Sequence, residues 1–137
     1  MKSIAWVTGY PTAVAGPSEV MDLRGYSPVR YRNAIPAVEG LTQGDRHSLI
    51  VLNPYIAPGE TDLPPEMEQC HAMRLEDYYR FGVAVIELTK KESSVNKDTP
   101  LIAVGMMSAS HRIDFSGRDL REILLEAGAV DYVAWHS

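Results

Sequence analysis

The sequence predicts a doubly wound α/β domain on a five-stranded parallel sheet, and three observations carry that expectation. The apolar runs are short, β-rich and apolar on consecutive residues, as suits strands covered by helices on both faces. Helix-like segments alternate with them, which implies βαβ units and right-handed crossovers. The chain has 137 residues, 45% apolar and 23% charged, which suits a single domain able to bury roughly two-thirds of its unfolded surface.

The elements follow in order. Ile4-Ala5-Trp6-Val7 reads as a strand running into the loop Thr8-Gly9-Tyr10-Pro11. Pro17 to Arg24 reads as a helix with a cap-like Ser18 and a stop at Gly25. Val29-Arg30-Tyr31-Arg32 alternates and follows Pro28; proline lacks a backbone donor, so this second strand belongs at a sheet edge. A helix over Ile35 to Leu41 carries Ile35, Val38 and Leu41 and ends near Gly44. Ser48 to Leu52 forms the third strand and ends at Asn53-Pro54. The longest helical candidate runs from about Glu66 to Lys91, with Met73, Tyr78, Phe81, Val85 and Leu88 near one stripe. Gly82 leaves open whether it is one helix or two. Pro100 to Val104 gives the fourth strand, ending at Gly105. Ser116-Gly117-Arg118-Asp119 has a capping-box pattern, opening a helix with Leu120, Ile123 and Leu124 that ends at Gly128. Asp131 to Trp135 is the last strand. An edge-type second strand suggests the order 2-1-3-4-5 of flavodoxin-like folds.

Composition narrows the function. A net charge of −5 without a Lys/Arg cluster argues against nucleic acid. No apolar stretch approaches the ~20 residues of a membrane span, and the N-terminal run is too short for a signal peptide. A lone cysteine, Cys70, excludes an intrachain disulfide framework and fits a reducing compartment. The expectation is a soluble cytoplasmic protein.

Several stretches, in the right order, resemble receiver domains of bacterial response regulators. Gly25-Tyr26-Ser27-Pro28-Val29 with Ala37-Val38-Glu39-Gly40-Leu41 looks like that family's second strand and helix. Leu49-Ile50-Val51-Leu52-Asn53, with Pro58-Gly59 beyond, looks like its third strand and phosphoacceptor loop. Thr99 to Val104 looks like the fourth strand, and Ala127-Gly128-Ala129-Val130-Asp131-Tyr132-Val133 like the entry to the fifth. Gly-Ala-x-Asp-Tyr is the most specific piece, and the resemblance spans roughly Ile4 to Trp135.

The departures from that pattern bear on chemistry. The resemblance implies acidic residues after the first strand to hold magnesium, and Thr8 and Gly9 stand there. The phosphoacceptor aspartate falls on Asn53, an amide that is a poor nucleophile. The switch hydroxyl falls on Gly105, with Ser108 three residues on; the phosphoryl-bridging lysine falls on Trp135 and the following proline on His136. Magnesium is held through one or two carboxylates, so neither metal nor phosphoryl transfer has a foothold. This implies a degenerate pseudo-receiver: a non-catalytic, phosphorylation-independent signalling module, without metal or cofactor, that works by protein contact.

Receivers carry a helix after the fifth strand, whereas this sequence stops at Ser137. The expectation is apolar sheet surface partly uncovered near Val7, Val104 and Val133, and a homodimer through that face. The rival reading is a flavodoxin-like carrier or enzyme that binds a nucleotide or FMN in the crevice at the strand ends, formed by Thr8, Gly9, Tyr10, Asn53, Pro54, Gly105 and Ser108. Thr8-Gly9-Tyr10-Pro11-Thr12 resembles a flavodoxin phosphate loop, but Pro11 removes a donor and the nearest cap, Ser18, lies well beyond.

Other groupings read as structural. Cys70 and His71 would point about 100° apart on a helix, and His47, His111 and His136 show no ligand spacing. Glu60, Asp62, Glu66 and Glu68 read as a solvated loop opening a helix, and Asp114, Arg118, Asp119 and Arg121 as surface pairs. Ser108, Ser110 and His111 lie close, but G-x-S-x-G is absent.

Overall fold

A computed structural model of the chain describes residues 2–9, 25–59, 63–68, 70, 77–105 and 118–134. Five strands, β1 (Lys2–Val7), β2 (Tyr26–Tyr31), β3 (Leu49–Leu52), β4 (Leu101–Gly105) and β5 (Asp131–Ala134), form one sheet in the order β2-β1-β3-β4-β5. Every pairing is parallel. The described helices are α1 (Ala34–Gln43), α2 (Tyr79–Thr89) and α3 (Leu120–Ala127), with a 3-10 turn at Pro65–Met67. Pro28 sits in β2, which pairs only with β1, so its missing donor falls where an edge strand tolerates it.

The register sorts the strand residues onto two unlike faces. Ala5, Val7, Ile50, Leu52, Leu101 and Ala103 share one face and are fully buried, with Tyr132 beside them. They form a single core with Ile35, Ala37 and Leu41 of α1, Phe81, Val85 and Ile86 of α2, and Leu120 and Leu124 of α3. The described helices therefore cover this face. Trp6, Val51, Ile102 and Val104 lie on the other face and are only half-buried, and Val133 is 50% exposed. Val7, expected at the uncovered surface, instead faces the helices; a strand apolar on consecutive residues does not reveal its own parity.

Three further expectations change in detail. The Glu66–Lys91 segment is not one helix: its described parts are the 3-10 turn, Cys70, and α2 from Tyr79. Gly82 is no break but lies inside α2, where a Cβ would sit 2.3 Å from the Pro54 carbonyl oxygen. The cap of α3 is Asp119 rather than Ser116: its carboxylate accepts the Glu122 N–H at 2.9 Å. The helix expected over Pro17–Arg24 lies outside the described residues. The start of α1 has no side-chain cap, and its Ala34 and Ile35 N–H groups instead donate to the Ala57 and Pro58 carbonyls at 2.8 and 3.1 Å. That docks the loop after β3 onto the helix. Among the described residues no helix is long and apolar enough to cross a membrane.

Candidate functional site

Parallel strands in this order bring the carboxyl ends of β1, β3 and β4 side by side, and ligands of open α/β sheets bind at such ends. Val7, Leu52 and Ala103 are in register, so Thr8, Asn53 and Val104 follow side by side at the strand ends, with Gly105 one residue further along β4. Backbone bonds hold them there: Asn53 N–H donates to the Val7 carbonyl at 2.8 Å, and Thr8 N–H to Tyr31 at 3.0 Å. Thr8 is buried and Gly9 exposed. Ser108, Trp135 and Tyr10 lie outside the described residues; of the residues expected at the crevice the structure describes Thr8, Gly9, Asn53, Pro54 and Gly105.

The Asn53 side chain is used structurally. Its Oδ1 accepts the Tyr55 N–H at 3.0 Å, the local turn that asparagine favours. The residues after the strand ends, Arg32-Asn33 and Asn53 to Gly59, include no Asp or Glu. No three His, Cys, Asp or Glu side chains come together among the described residues. A half-buried amide is neither a nucleophile nor an anionic metal ligand, so this position cannot hold a phosphoryl group as an acyl phosphate.

Beneath the strand ends, Pro54 and Gly105 are among the residues expected there from the sequence, whereas the parts played by Gly82 and Tyr132 are not. Pro54 is buried, with its backbone seated on Gly82 of α2. Gly105 faces Pro54 from one side and Tyr132 from the other: a Cβ there would lie 3.5 Å from Pro54 Cδ and 3.0 Å from Tyr132 Oη. A hydroxyl-bearing side chain at 105 would therefore compete with the tyrosine for space. Tyr132 is 4% exposed, and burial pushes its phenol above the ordinary tyrosine range. A glycine after a strand, followed by an aromatic one strand later, was the available signal, but only the register shows that they meet.

The other candidates are accounted for elsewhere. Cys70 is buried, its thiol 3.6 Å from the Arg80 carbonyl and pushed up by burial, which outweighs the opposing Arg80 charge. It borders a cleft of about 270 Å³ between α2 and α3 lined by Val83, Ala84, Arg80 and Ile123. His71, Glu60, Asp62, Asp114, Ser110, His111 and His136 lie outside the described residues; Glu66 and Glu68 are exposed on the 3-10 turn. Arg118 pairs with Glu126 at 2.5 Å and Arg121 with Asp131 at 3.0 Å, surface contacts of little energetic weight.

No sequence-family model matches the chain, and no curated protein matches it. Solved structures do. A two-component response regulator from Clostridium difficile superposes with a TM-score of 0.65 at 14% identity, covering 98% of this chain and 83% of that one. The chemotaxis response regulator CheY4 of Vibrio cholerae gives 0.66 at 13% identity, over 98% and 86%. The receiver domain of the sensor histidine kinase PA1611 from Pseudomonas aeruginosa PAO1, which holds a magnesium ion in its active-site cleft, gives 0.60 at 16% identity, over 97% and 84%. The fold of this chain is the flavodoxin-like fold of response-regulator receiver domains.

Proposed function

We propose that the chain is a receiver-like signalling module of the cytoplasm that works by protein contact, without catalysis and without phosphorylation. One observation carries the reading: Asn53 stands where the resemblance puts a receiver's acceptor aspartate, and its side-chain oxygen closes the turn to Tyr55. Thr8 and Gly9 supply no carboxylate for magnesium at the end of β1. A receiver fold with that crevice neutralised retains surfaces for partners and loses the chemistry that would switch them.

The contact surface that we favour is the sheet face bearing Ile102, Val104 and Val133, with a second copy of the chain as partner. Val133 is 50% and Val130 63% exposed at the β5 edge, and exposed apolar surface of this kind marks interfaces when it is contiguous.

Incubation with acetyl phosphate and Mg²⁺, read by intact mass, tests the first part. No adduct is expected; a gain of about 80 Da, one phosphoryl group, would overturn it. Sedimentation at micromolar concentration tests the second, and a monomer throughout refutes it.

A further inference from the structure

At the amino-terminal ends of the strands, buried polar groups tie the connections before β3 and β4 to each other and to the start of β1. His47, just before β3, is 5% exposed. Its N–H donates to Asn96 Oδ1 at 2.8 Å. Asn96, itself fully buried, donates its amide hydrogens to the Leu41 and Asp45 carbonyls at 2.8 and 3.0 Å. The Thr99 hydroxyl lies 3.1 Å from the His47 carbonyl and 2.9 Å from Asn96 Oδ1. The imidazole reaches the start of β1, where its Nδ1 is 2.8 Å from Ser3 Oγ. Among the described residues its Nε2 is buried without a hydrogen-bond partner.

We propose that His47 is a pH-sensitive latch that holds the start of β1 to the connections before β3 and β4 only while its ring is neutral. A neutral imidazole needs two partners and has one here, which costs a single unmade hydrogen bond. A protonated ring would carry a donor on both nitrogens and a charge, with no acceptor at Nε2. Burying an unpaired charge is far more costly than leaving a neutral group unpaired.

The surrounding groups fix the direction. From its own connection, Asp45 favours the charged ring; Ser3 on β1 and Asn96 and Thr99 before β4 are uncharged. Burial outweighs Asp45 and holds the ring below the ordinary histidine range. The unfolded chain therefore takes up the proton first as pH falls. Stability present above the unfolded value of ~6.5 is lost as pH falls through the folded one.

Urea unfolding from pH 8 to pH 5, with histidine-ring NMR on the same protein, tests this. The unfolding constant is expected to rise below pH ~6.5 by up to about tenfold per pH unit, the slope of one proton. The His47 ring should titrate below free histidine, and the protection factor of its amide, taken against the intrinsic exchange rate at each pH, should fall over the same interval. His47→Gln should remove the slope and identify the ring signal among those of His71, His111 and His136. A slope that survives in His47→Gln, or a flat wild-type profile, overturns the latch. If His47→Gln does not fold, a wild-type ring that titrates at or above free histidine overturns it equally.

Discussion

Gly82→Ala tests whether the loop after β3 rests directly on α2. On helix propensity alone the substitution should stabilise, because alanine is better than glycine in a helix interior by about 0.8–1 kcal/mol. The structure gives the opposite sign. The new Cβ would lie 2.3 Å from the Pro54 carbonyl oxygen and 2.5 Å from its Cα, roughly 1 Å inside the ~3.5 Å of an ordinary contact. The obstacle is backbone, and the adjoining residue is pinned by Asn53 N–H to Val7 at 2.8 Å and by Asn53 Oδ1 to Tyr55 N–H at 3.0 Å. Overpacking against such a neighbour costs typically 1–3 kcal/mol. A clash near the upper end of that range, less the propensity gain, leaves about 2 kcal/mol of destabilisation. Gly40→Ala supplies the control within the same fold. There a Cβ would lie as close, 2.2 Å, but to the hydroxyl of the half-buried Tyr31 side chain, which can swing aside. Its stability should stay within about 1 kcal/mol of wild type. Urea unfolding followed by far-UV circular dichroism measures both as midpoint shifts at constant slope. Gly82→Ala at least as stable as wild type would refute the close packing of Pro54 on α2.

Other expectations follow from the same contacts. Asn53→Asp should fold and still take up no phosphoryl group from acetyl phosphate, because Thr8 and Gly9 leave magnesium without carboxylates; an adduct by intact mass would show that the acceptor alone was missing. Gly105→Thr should cost about 1–3 kcal/mol and bring the Tyr132 phenol back toward the ordinary range, since a Cβ 3.0 Å from its hydroxyl displaces the ring; an unchanged tyrosine titration counts against that displacement. Asn96→Leu should lose about 2–4 kcal/mol in urea unfolding, because the buried donors and acceptors it serves at His47, Leu41 and Asp45 lose their partner. Asp119→Ala should lose about 1 kcal/mol in urea unfolding, the usual worth of an N-cap, and an unchanged midpoint would count against the cap.

The strand order was readable because it rests on local chemistry: Pro28 marks an edge, and strands alternating with helices leave few parallel arrangements. The helix before β4 was harder to read, because Tyr78, Phe81, Val85 and Leu88 continue a stripe back to Met73, and periodicity alone does not mark where a helix starts. Two overlapping cap patterns, Ser116-x-x-Asp119 and Asp119-x-x-Glu122, competed, and the one immediately before the apolar run is used. The face of Val7 was undecidable in principle from a strand apolar at consecutive positions. At the strand ends, chain order and residue type offered Thr8, Asn53 and Gly105 as candidates. The contacts among Pro54, Gly82, Gly105 and Tyr132 needed the register, because they join residues up to 51 apart in sequence (105 − 54).

Those contacts bear on why the acceptor position would not regain its chemistry by one substitution. Pro54 is held between two glycines, its carbonyl against Gly82 and its ring 3.5 Å from a Cβ at Gly105, which Tyr132 in turn approaches with its hydroxyl. Asn53 enters this arrangement through the turn that its side chain closes onto Tyr55. An aspartate could close the same turn, so the charge at 53 would change while the neutral floor around it stayed as it is. A switch hydroxyl at 105 would meet Tyr132, and a side chain at 82 would meet the Pro54 backbone. Each position of the crevice is thus constrained by packing against its neighbours, with no demand in that packing for a phosphoryl group or a cation. Under the proposed reading, the output of such a module depends on its surface rather than on turnover in the crevice.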